Sequence, residues 1–236
     1  MQTPIVTFVE TMRGQVVMTQ FVGSSSHVTP ESEDDQGVAA SLQQGIERDL
    51  ALPMIWQDLT IAVHNQPTTR EKGLVGVIES GKLFVGGLAA EPLVIHQGEF
   101  ALLPATPQGE RRMRYRLACT AEDGRRYLLY GFKRIANVKG RFLPLAIWRD
   151  TTTLYVAIYE LDPLDAPKAL VATGIIHIHP IGFLRQLGTM RSSQVVGAFA
   201  VLRNLASFGA FFALGVLALL GSRVPPALKV LLTAIA

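Results

Sequence analysis

The stretch Arg112-Met113-Arg114-Tyr115-Arg116-Leu117 alternates basic and large apolar side chains. Successive side chains of a β-strand point to opposite faces, so the apolar residues would face a core and the arginines water. Residues 121–124 follow as Ala-Glu-Asp-Gly, which is hairpin turn chemistry because glycine adopts a positive φ freely. Residues 125–134 then predict the partner strand. We therefore expect a domain built from antiparallel strands.

The same period of two recurs through most of the chain before residue 180. It predicts further strands at 5–10, 14–22, 54–63, 74–79, 82–85, 98–103, 151–160 and 169–179. Many short strands joined mainly by turns predict a mainly β fold, an antiparallel β-barrel or sandwich, with a lipocalin-like barrel among the candidates.

Helical periodicity begins after Pro180, where Ile181–Met190 has an apolar stripe. Pro180 suits the first turn of a helix, whose amide hydrogens have no partner within the helix. A second helix is expected from about Ser193, and it would lead into a longer apolar segment. The β-domain is therefore expected to be followed by C-terminal α-helices.

Residues 204–222 contain no ionisable side chain. A helix of this length spans about 28 Å, close to the hydrocarbon thickness of a bilayer. Arg203 and Arg223 flank the run where snorkelling side chains would mark the two interfaces. We expect a transmembrane or membrane-embedded helix, and a terminal helix packed on the domain or on a neighbouring subunit is the alternative. Its predicted anchor residues are Leu205, Phe208, Phe211, Phe212, Leu214, Leu217, Leu219 and Leu220.

These patterns divide the 236 residues into four parts. Residues 1–179 are expected to form a β-rich cytoplasmic domain, with 24–50 as an acidic mobile insertion that has a short helix near 41–48. Residues 180–203 would be linking helices, 204–222 the transmembrane helix and 223–236 a short apolar tail. The N-terminal sequence lacks the basic flank and apolar core of a signal peptide. We therefore expect a single-pass or tail-anchored protein of the cell inner membrane, with its main domain in the cytoplasm.

The stretch from Arg111 to Arg149 carries eleven Lys or Arg residues against Glu122 and Asp123. Such a surface is either a solvated strand face or a site for anionic partners, which would be lipid headgroups or the acidic surface of another protein. Nucleic acid is not expected, because there is no recognition helix and Tyr115 points inward, leaving no outward aromatic platform. The residues predicted to contact an anionic partner or headgroup are Arg112, Arg114, Arg116, Arg125 and Arg126.

No catalytic, cofactor-binding or metal-binding residue is predicted. His177 and His179 would lie on one face of a strand, as two metal ligands would, but the sequence offers no evident further ligand. Cys119 is two residues from Leu117, so its side chain would also face the core, and it is expected to be an inert, buried thiol. The chain lacks the Gly-x-Gly-x-x-Gly of dinucleotide binding and the Gly-x-Ser-x-Gly of hydrolases. These patterns favour a protein that is not an enzyme.

Six further stretches occur in a recognisable order. They are 8–14 (Phe-Val-Glu-Thr-Met-Arg-Gly), 98–100 (Gly-Glu-Phe), 112–117 with 123–125 (Asp-Gly-Arg), 131–133 (Gly-Phe-Lys), Trp148 with 150–156, and 174–175 (Gly-Ile) with 183–190. Together they resemble the accessory domain found in bacteria beside glucose-methanol-choline flavin oxidoreductases of the cholesterol oxidase kind, and beside some α/β-hydrolases. The resemblance covers residues 5 to 215.

The resemblance implies a context of enzymes that act on sterols and other lipids, and this chain contains neither enzyme. We therefore expect a lipid-associated or partner-docking module, with membrane lipid and a separately encoded enzyme or a membrane complex as partners. If the barrel holds a lipid, we expect an interior cavity of several hundred Å³. The predicted lining residues are Phe100, Tyr115, Leu117, Leu154 and Val156. The alternative is a structural subunit of a respiratory or photosynthetic membrane complex, which would have a filled core.

Overall fold

The computed structural model describes residues 6–22, 34–64, 74–105, 111–135 and 149–191. Eight antiparallel strands follow one another around a closed barrel, and the first pairs with the last. The strands are β1 (Val6–Met18), β2 (Leu52–His64), β3 (Leu74–Val85), β4 (Leu93–Ala105), β5 (Arg111–Thr120), β6 (Arg126–Ile135), β7 (Thr153–Leu161) and β8 (Pro167–His177). The helices are α1 (Thr19–Val22), α2 (Asp35–Glu47) and α3 (Pro180–Thr189). The predicted mainly β, antiparallel architecture is confirmed, and it is a barrel.

The hairpin of β5 and β6 has the predicted form. The two strands pair without a bulge from Arg111 opposite Ile135 to Thr120 opposite Arg126. Met113, Tyr115 and Leu117 are buried inside the barrel, while the arginines between them lie on the outer face. The turn between the strands contains Gly124 at a φ of 84°. The alternation of basic and apolar residues therefore predicted correctly both the strand and which of its side chains face the core.

Two predicted strand breaks, at residues 11–13 and at residues 80–81, are wrong. β1 runs from Val6 to Met18 with a register shift between Glu10 and Met12, and β3 runs unbroken through Gly81. Gly81 has a φ of 151°, and a Cβ built there would lie 2.5 Å from a Leu59 methyl group. Glycine at position 81 permits close packing within a continuous strand, and a bulge bends β1 without ending it, so eight long strands replace about ten short ones.

The barrel closes where β1 pairs with β8, and two glycines lie at this seam. Gly14 is opposite Ile176, and Gly174 is opposite Val16. A Cβ on Gly14 would lie 2.1 Å from the carbonyl oxygen of Ile175, and a Cβ on Gly174 would lie 2.3 Å from that of Gln15. Because both contacts are with backbone atoms, the seam requires residues without a side chain.

β8 pairs only with residues 13–18 of β1, so the first half of β1 has an edge that β8 does not reach. α3 packs against β1 and covers this edge. The amide of Val9 donates to Thr189 Oγ1 at 2.9 Å, and Thr7 and Arg191 exchange two backbone hydrogen bonds of 2.8 Å. The helix begins at Pro180, as predicted. α3 and Arg191 thus provide hydrogen-bond partners for backbone groups on the part of the β1 edge that β8 does not reach.

Part of the predicted mobile insertion forms an ordered helix. Asp34 caps α2 by accepting a hydrogen bond from the amide of Gly37 at 2.9 Å. Val38 and Leu42 are buried, and Gly45 approaches Val17 of β1 closely. This small apolar stripe packs the helix onto the barrel, so residues 34–50 are part of the fold. The rest of the predicted insertion, 24–33, lies outside the described residues.

None of the helices in the described ranges is long and apolar enough to span a membrane. The run 204–222, all eight of its predicted anchor residues, the predicted second helix and the tail 223–236 lie outside the described residues. The structure therefore leaves the anchor as a prediction.

We expect Gly174→Ala to destabilise the barrel by about 2 kcal/mol or more, because the new methyl group would force the seam open. The free energy of unfolding can be measured by urea titration of the full chain in mild, uncharged detergent. Gly188→Ala is the matched control, since a Cβ there meets nothing within 4 Å. That substitution, near the end of a helix, should be neutral or stabilising by up to about 1 kcal/mol. Equal stability of the two variants would contradict the role of the seam.

Candidate functional site

The barrel has two unlike ends. At the tail end β1 begins and β8 ends, and Arg191, the last described residue, lies beside Thr7. At the opposite, turn end, α1 and α2 come between β1 and β2, and residues 86–92, 121–125 and 162–166 join three further pairs of strands. Each predicted site residue can be placed relative to these ends.

The predicted arginine group extends along the whole barrel. Arg112 lies at the tail end, where its guanidinium carbon is 5.8 Å from the centre of the Phe132 ring. Arg116 is exposed and lies opposite Glu99 on β4. Arg126 lies at the turn end, opposite Thr120. A strand rises about 3.3 Å per residue, so the backbones of Arg112 and Thr120 are about 26 Å apart.

The two arginines at the turn end have acidic partners within the chain. Arg125 Nε lies 2.6 Å from Asp123 Oδ2 in the same turn. Arg126 Nη1 lies 2.6 Å from Asp165 Oδ1 in the turn between β7 and β8, and Arg126 also donates to the carbonyl of Asp162. The structure thus separates these two side chains from Arg112 and Arg114, and the five arginines do not converge on one point.

Outward aromatic side chains surround Arg112, and the sequence interpretation missed them. Tyr115 faces inward as predicted, but Tyr130 and Phe132 on β6 and Tyr155 on β7 lie on the outer face. Phe132 stacks on Tyr155 with ring centres 5.5 Å apart and is only 2% exposed. Tyr130, Phe132 and Arg134 are spaced two residues apart and therefore share one face of the strand. This spacing was the sequence signal that could have revealed the outward aromatic side chains. These rings pack against one another and against Arg112, so their faces are not an open stacking platform.

The five residues predicted to line a cavity all belong to the packed core. Phe100 and Trp56 contact the Tyr115 ring at centre distances of 4.9 and 5.2 Å. Leu117 fills the space above Gly98, and Leu154 fills the space above Gly131, whose missing side chains leave room for them. At these five positions the interior of the barrel is occupied by side chains.

An ion pair lies inside this apolar core. Lys133 Nζ of β6 is 2.7 Å from Glu10 Oε1 of β1, and the two side chains are 2% and 1% exposed. Lys133 Nζ is also 5.3 Å from the centre of the Tyr115 ring. Burial, followed by the charge of Glu10 and a hydrogen bond to it, raises the pKa of Tyr115 well above its usual range. Lys133 is four residues from Leu129, so both side chains lie on the inward face of β6. This spacing was the sequence signal for a buried lysine.

The polar groups in this core are incompletely satisfied. Among the described residues, Glu10 Oε2 and Trp56 Nε1 have no hydrogen-bond partner although both are buried. A buried polar atom without a partner costs about 1–3 kcal/mol. These two unpaired atoms are therefore expected to lower the free energy of unfolding, and substitutions at the ion pair can measure the stability of this region.

A groove of 1010 Å³ lies on the outside of the barrel, between α3 and the bulged parts of β1 and β2. The Asp58 amide donates to Thr11 Oγ1 at 3.1 Å, and Thr11 Oγ1 donates to Asp58 Oδ1 at 3.3 Å. Strand pairing shifts register at both residues. Asp58 has a φ of 51°, which is unfavourable for a residue with a side chain. The lining residues are Val9, Thr11, Arg13, Gln57, Asp58, His179, Ile181, Gly182, Arg185, Gln186, Gly188 and Thr189.

The groove has cationic walls and a buried polar floor. Arg13, Arg185 and His179 are exposed along it. Gln186 is only 9% exposed, and its Oε1 has no hydrogen-bond partner among the described residues. The sequence interpretation missed this site, because its residues come from three elements that are distant in the chain.

His177 and His179 differ in their surroundings. A hydrogen bond of 3.2 Å joins His177 Nδ1 and Thr153 Oγ1, while His179 lines the groove. Burial, and then the charges of His179 and Arg149, lower the pKa of His177. Within the described ranges, no group of three or more His, Cys, Asp or Glu side chains is arranged to hold a metal ion.

Cys119 is buried and donates a hydrogen bond from Sγ to the carbonyl oxygen of Tyr127 at 3.6 Å. Burial raises the pKa of Cys119 to about 12. The structure confirms that the thiol is buried, and the raised pKa would keep the thiolate scarce near neutral pH.

By fold, the chain is an eight-stranded, up-and-down, antiparallel β-barrel with a helix covering part of one strand edge. Comparisons with protein-family models, curated proteins and solved structures found no match. Function must therefore be argued from the sites of this chain itself.

We expect Lys133→Met to destabilise the full chain by about 3–5 kcal/mol, because it leaves the Glu10 carboxylate buried without its countercharge. The double variant Glu10→Met with Lys133→Met should be within about 1 kcal/mol of the wild type or more stable, since the core then holds only apolar groups. Urea unfolding of the wild type, the single variants Glu10→Met and Lys133→Met, and the double variant gives the coupling energy. Additive losses would show that the two charges do not act as a pair.

We expect Cys119 to be unreactive toward dithionitrobenzoate at pH 8 in the folded chain. With a pKa of about 12, only about one thiol in ten thousand is ionised at that pH, and burial also blocks access. The thiol should react fully when the chain is unfolded in urea. Rapid reaction of the native chain would contradict the burial of this strand position.

Proposed function

We propose that this chain is a non-enzymatic accessory protein that is tethered to a bilayer by residues 204–222 and docks a partner on the outside of its barrel. The main support for this proposal is the position of Arg191. Its backbone is fixed to Thr7 by two hydrogen bonds of 2.8 Å, at the tail end of the barrel. The charge-free run begins thirteen residues later, at Asn204. A bilayer-embedded run would therefore hold the tail end close to the membrane.

The distribution of charge supports this orientation. Basic side chains dominate the tail end, whereas the turns of the turn end carry acidic ones. Each basic residue close to an anionic leaflet contributes about 1 kcal/mol of attraction. The tail end would thus be attracted to an anionic bilayer and the turn end repelled. At the tail end the described basic residues are Arg112, Arg134, Arg149, Arg185 and Arg191, against Asp34, Asp35 and Asp150, and Arg134 is paired with Asp35. In the turns of the turn end the acidic residues are Glu91, Glu122, Asp123, Asp162 and Asp165, against Arg125 and Arg126.

The packing of the interior supports docking on the outside over carriage of a lipid inside. Lipocalins also have eight-stranded up-and-down barrels, and they use the interior for a ligand. Here the Tyr115 ring contacts Phe100 and Trp56, and Leu117 and Leu154 fill the space above two glycines. A barrel whose interior is packed with side chains at these described positions suits a module that presents its surface to another protein.

The partner is proposed from the resemblance to accessory domains of lipid-active enzymes. On that basis the chain would hold a separately encoded oxidoreductase or hydrolase near the membrane that contains its substrate. A structural subunit of a respiratory or photosynthetic membrane complex is the second candidate. The packing at the five predicted lining positions favours it too. So do Ala206, Gly209 and Ala213, small residues at helical spacing that suit packing against other helices.

We expect the full chain to float with phosphatidylcholine vesicles in a density gradient and to resist extraction at alkaline pH. The variant Leu214→Asp with Leu217→Asp should remain with the soluble fraction, because each aspartate near the centre of a bilayer costs about 3 kcal/mol. Flotation and immunoblotting measure both chains.

Deletion of residues 205–236 provides the matched comparison. We expect a soluble protein with the circular dichroism of a β-barrel, since all eight strands and α3 precede the deleted residues. Aggregation of this variant would show that the tail belongs to the core. Flotation of the aspartate variant at the wild-type level would contradict membrane insertion by the run. Native mass measurement of the detergent-extracted protein distinguishes an enzyme partner from a large complex.

A further inference from the structure

We propose that the groove between α3 and the bulges of β1 and β2 binds an organophosphate that also carries a hydroxyl group. Free phosphorylated compounds and phospholipid headgroups share this chemistry, and the groove opens on the outside of the barrel, where both have access. This binding site does not require the tail to enter a bilayer. It can therefore be tested independently of the membrane attachment proposed above.

The cationic side chains of the groove indicate an oxyanion. Arg13 and Arg185 approach it from β1 and from α3, and among the described residues neither forms an ion pair or a side-chain hydrogen bond. A guanidinium group presents a planar fork of donors that matches phosphate oxygens. His179, from the link between β8 and α3, adds a third nitrogen donor.

The Asp58 carboxylate in the lining offsets only one of the two arginine charges. Asp58 Oδ1 accepts a hydrogen bond from Thr11 Oγ1, and Asp58 Oδ2 accepts one from Gln57 Nε2, both at 3.3 Å. These bonds hold Asp58 against the bulge. The two arginines are thus available to a ligand, and the groove retains a net positive charge.

Gln186 supplies the independent observation that points to a ligand. Its side chain is nine-tenths buried, lines the groove and has an oxygen without a hydrogen-bond partner among the described residues. Leaving such an atom unpaired costs about 1–3 kcal/mol, and a ligand that donates a hydrogen bond recovers that cost. The amide oxygen is an acceptor, so the ligand needs a hydroxyl or amine hydrogen in addition to its anionic group.

The size of the groove fits the same class of ligand. A volume of 1010 Å³ is far more than one phosphate ion fills, and sites for small organic molecules occupy about 300–1,000 Å³. The helix lies close to Thr11 at this side of the groove, since a Cβ built on Gly182 would be in ordinary van der Waals contact, 3.7 Å, with the Thr11 carbonyl oxygen. The groove therefore accommodates a phosphate together with its organic carrier.

The test is calorimetric titration of the full chain in uncharged detergent with three probes. Glycerol 1-phosphate represents a free organophosphate, dihexanoyl-phosphatidylglycerol represents a hydroxylated headgroup, and dihexanoyl-phosphatidylcholine has a phosphate without a hydroxyl. We expect saturable binding of one or both hydroxylated probes. Arg13→Gln with Arg185→Gln should weaken it at least about tenfold, as expected for the loss of charge-assisted hydrogen bonds.

Gln186→Met tests the contact with the hydroxyl group separately. The variant should bind hydroxylated probes no better than phosphatidylcholine, while its melting temperature stays the same or rises because a buried unpaired atom is removed. Lys82→Gln with Lys168→Gln is the control, since it removes two exposed charges elsewhere and should leave binding unchanged. Binding of glycerol 1-phosphate identifies a free ligand, and binding of phosphatidylglycerol alone identifies a headgroup. Absence of saturable binding, or equal weakening in the control, would overturn the proposal.

Discussion

The pairing of β1 with β8 is the constraint on which the rest of the structure depends. β1 is shared between two neighbours, with residues 6–16 paired to β2 and residues 13–18 paired to β8. In the overlap the strand has backbone on both sides, and Gly14 faces Ile175 and Ile176 at distances that no Cβ would allow. Gly174 provides the same freedom from the other strand. Closure removes the open edges that a sheet of this length would expose.

The short reach of β8 determines what happens at the tail end. Pairing of β6 with β7 stops at Phe132, and pairing of β1 with β8 stops at Arg13. Beyond these points the Glu10–Lys133 ion pair links β1 to β6 through the interior, and α3 covers the β1 edge on the outside. An ion pair in an apolar core is seldom more stable than apolar residues of the same size. Its main structural effect is to join β1 and β6, which are not neighbours in the sheet, across the interior of the barrel.

The sequence contained much of the fold because the dominant signal is local. Alternation in a strand such as Arg112–Leu117 depends only on neighbouring residues, and it predicted which side chains enter the core. Glycine was harder to interpret, because it marks both turns, as at Gly124, and close approaches within strands, as at Gly14. α2 was underestimated because its stripe of Val38, Leu42 and Gly45 is short and lies among acidic residues.

The groove could not be predicted, and closure explains why. Thr11 and Asp58 are 47 residues apart in the chain, and Gln186 lies more than a hundred residues beyond both. They meet because the shared strand β1 carries a bulge opposite the bulge of β2, and because β8 stops short and leaves room for α3. The edge that β8 leaves uncovered is therefore also the place where cationic and unpaired polar groups collect. The constraint that closes the barrel also creates its most distinctive surface, since a longer β8 would cover the β1 edge and leave no room for α3.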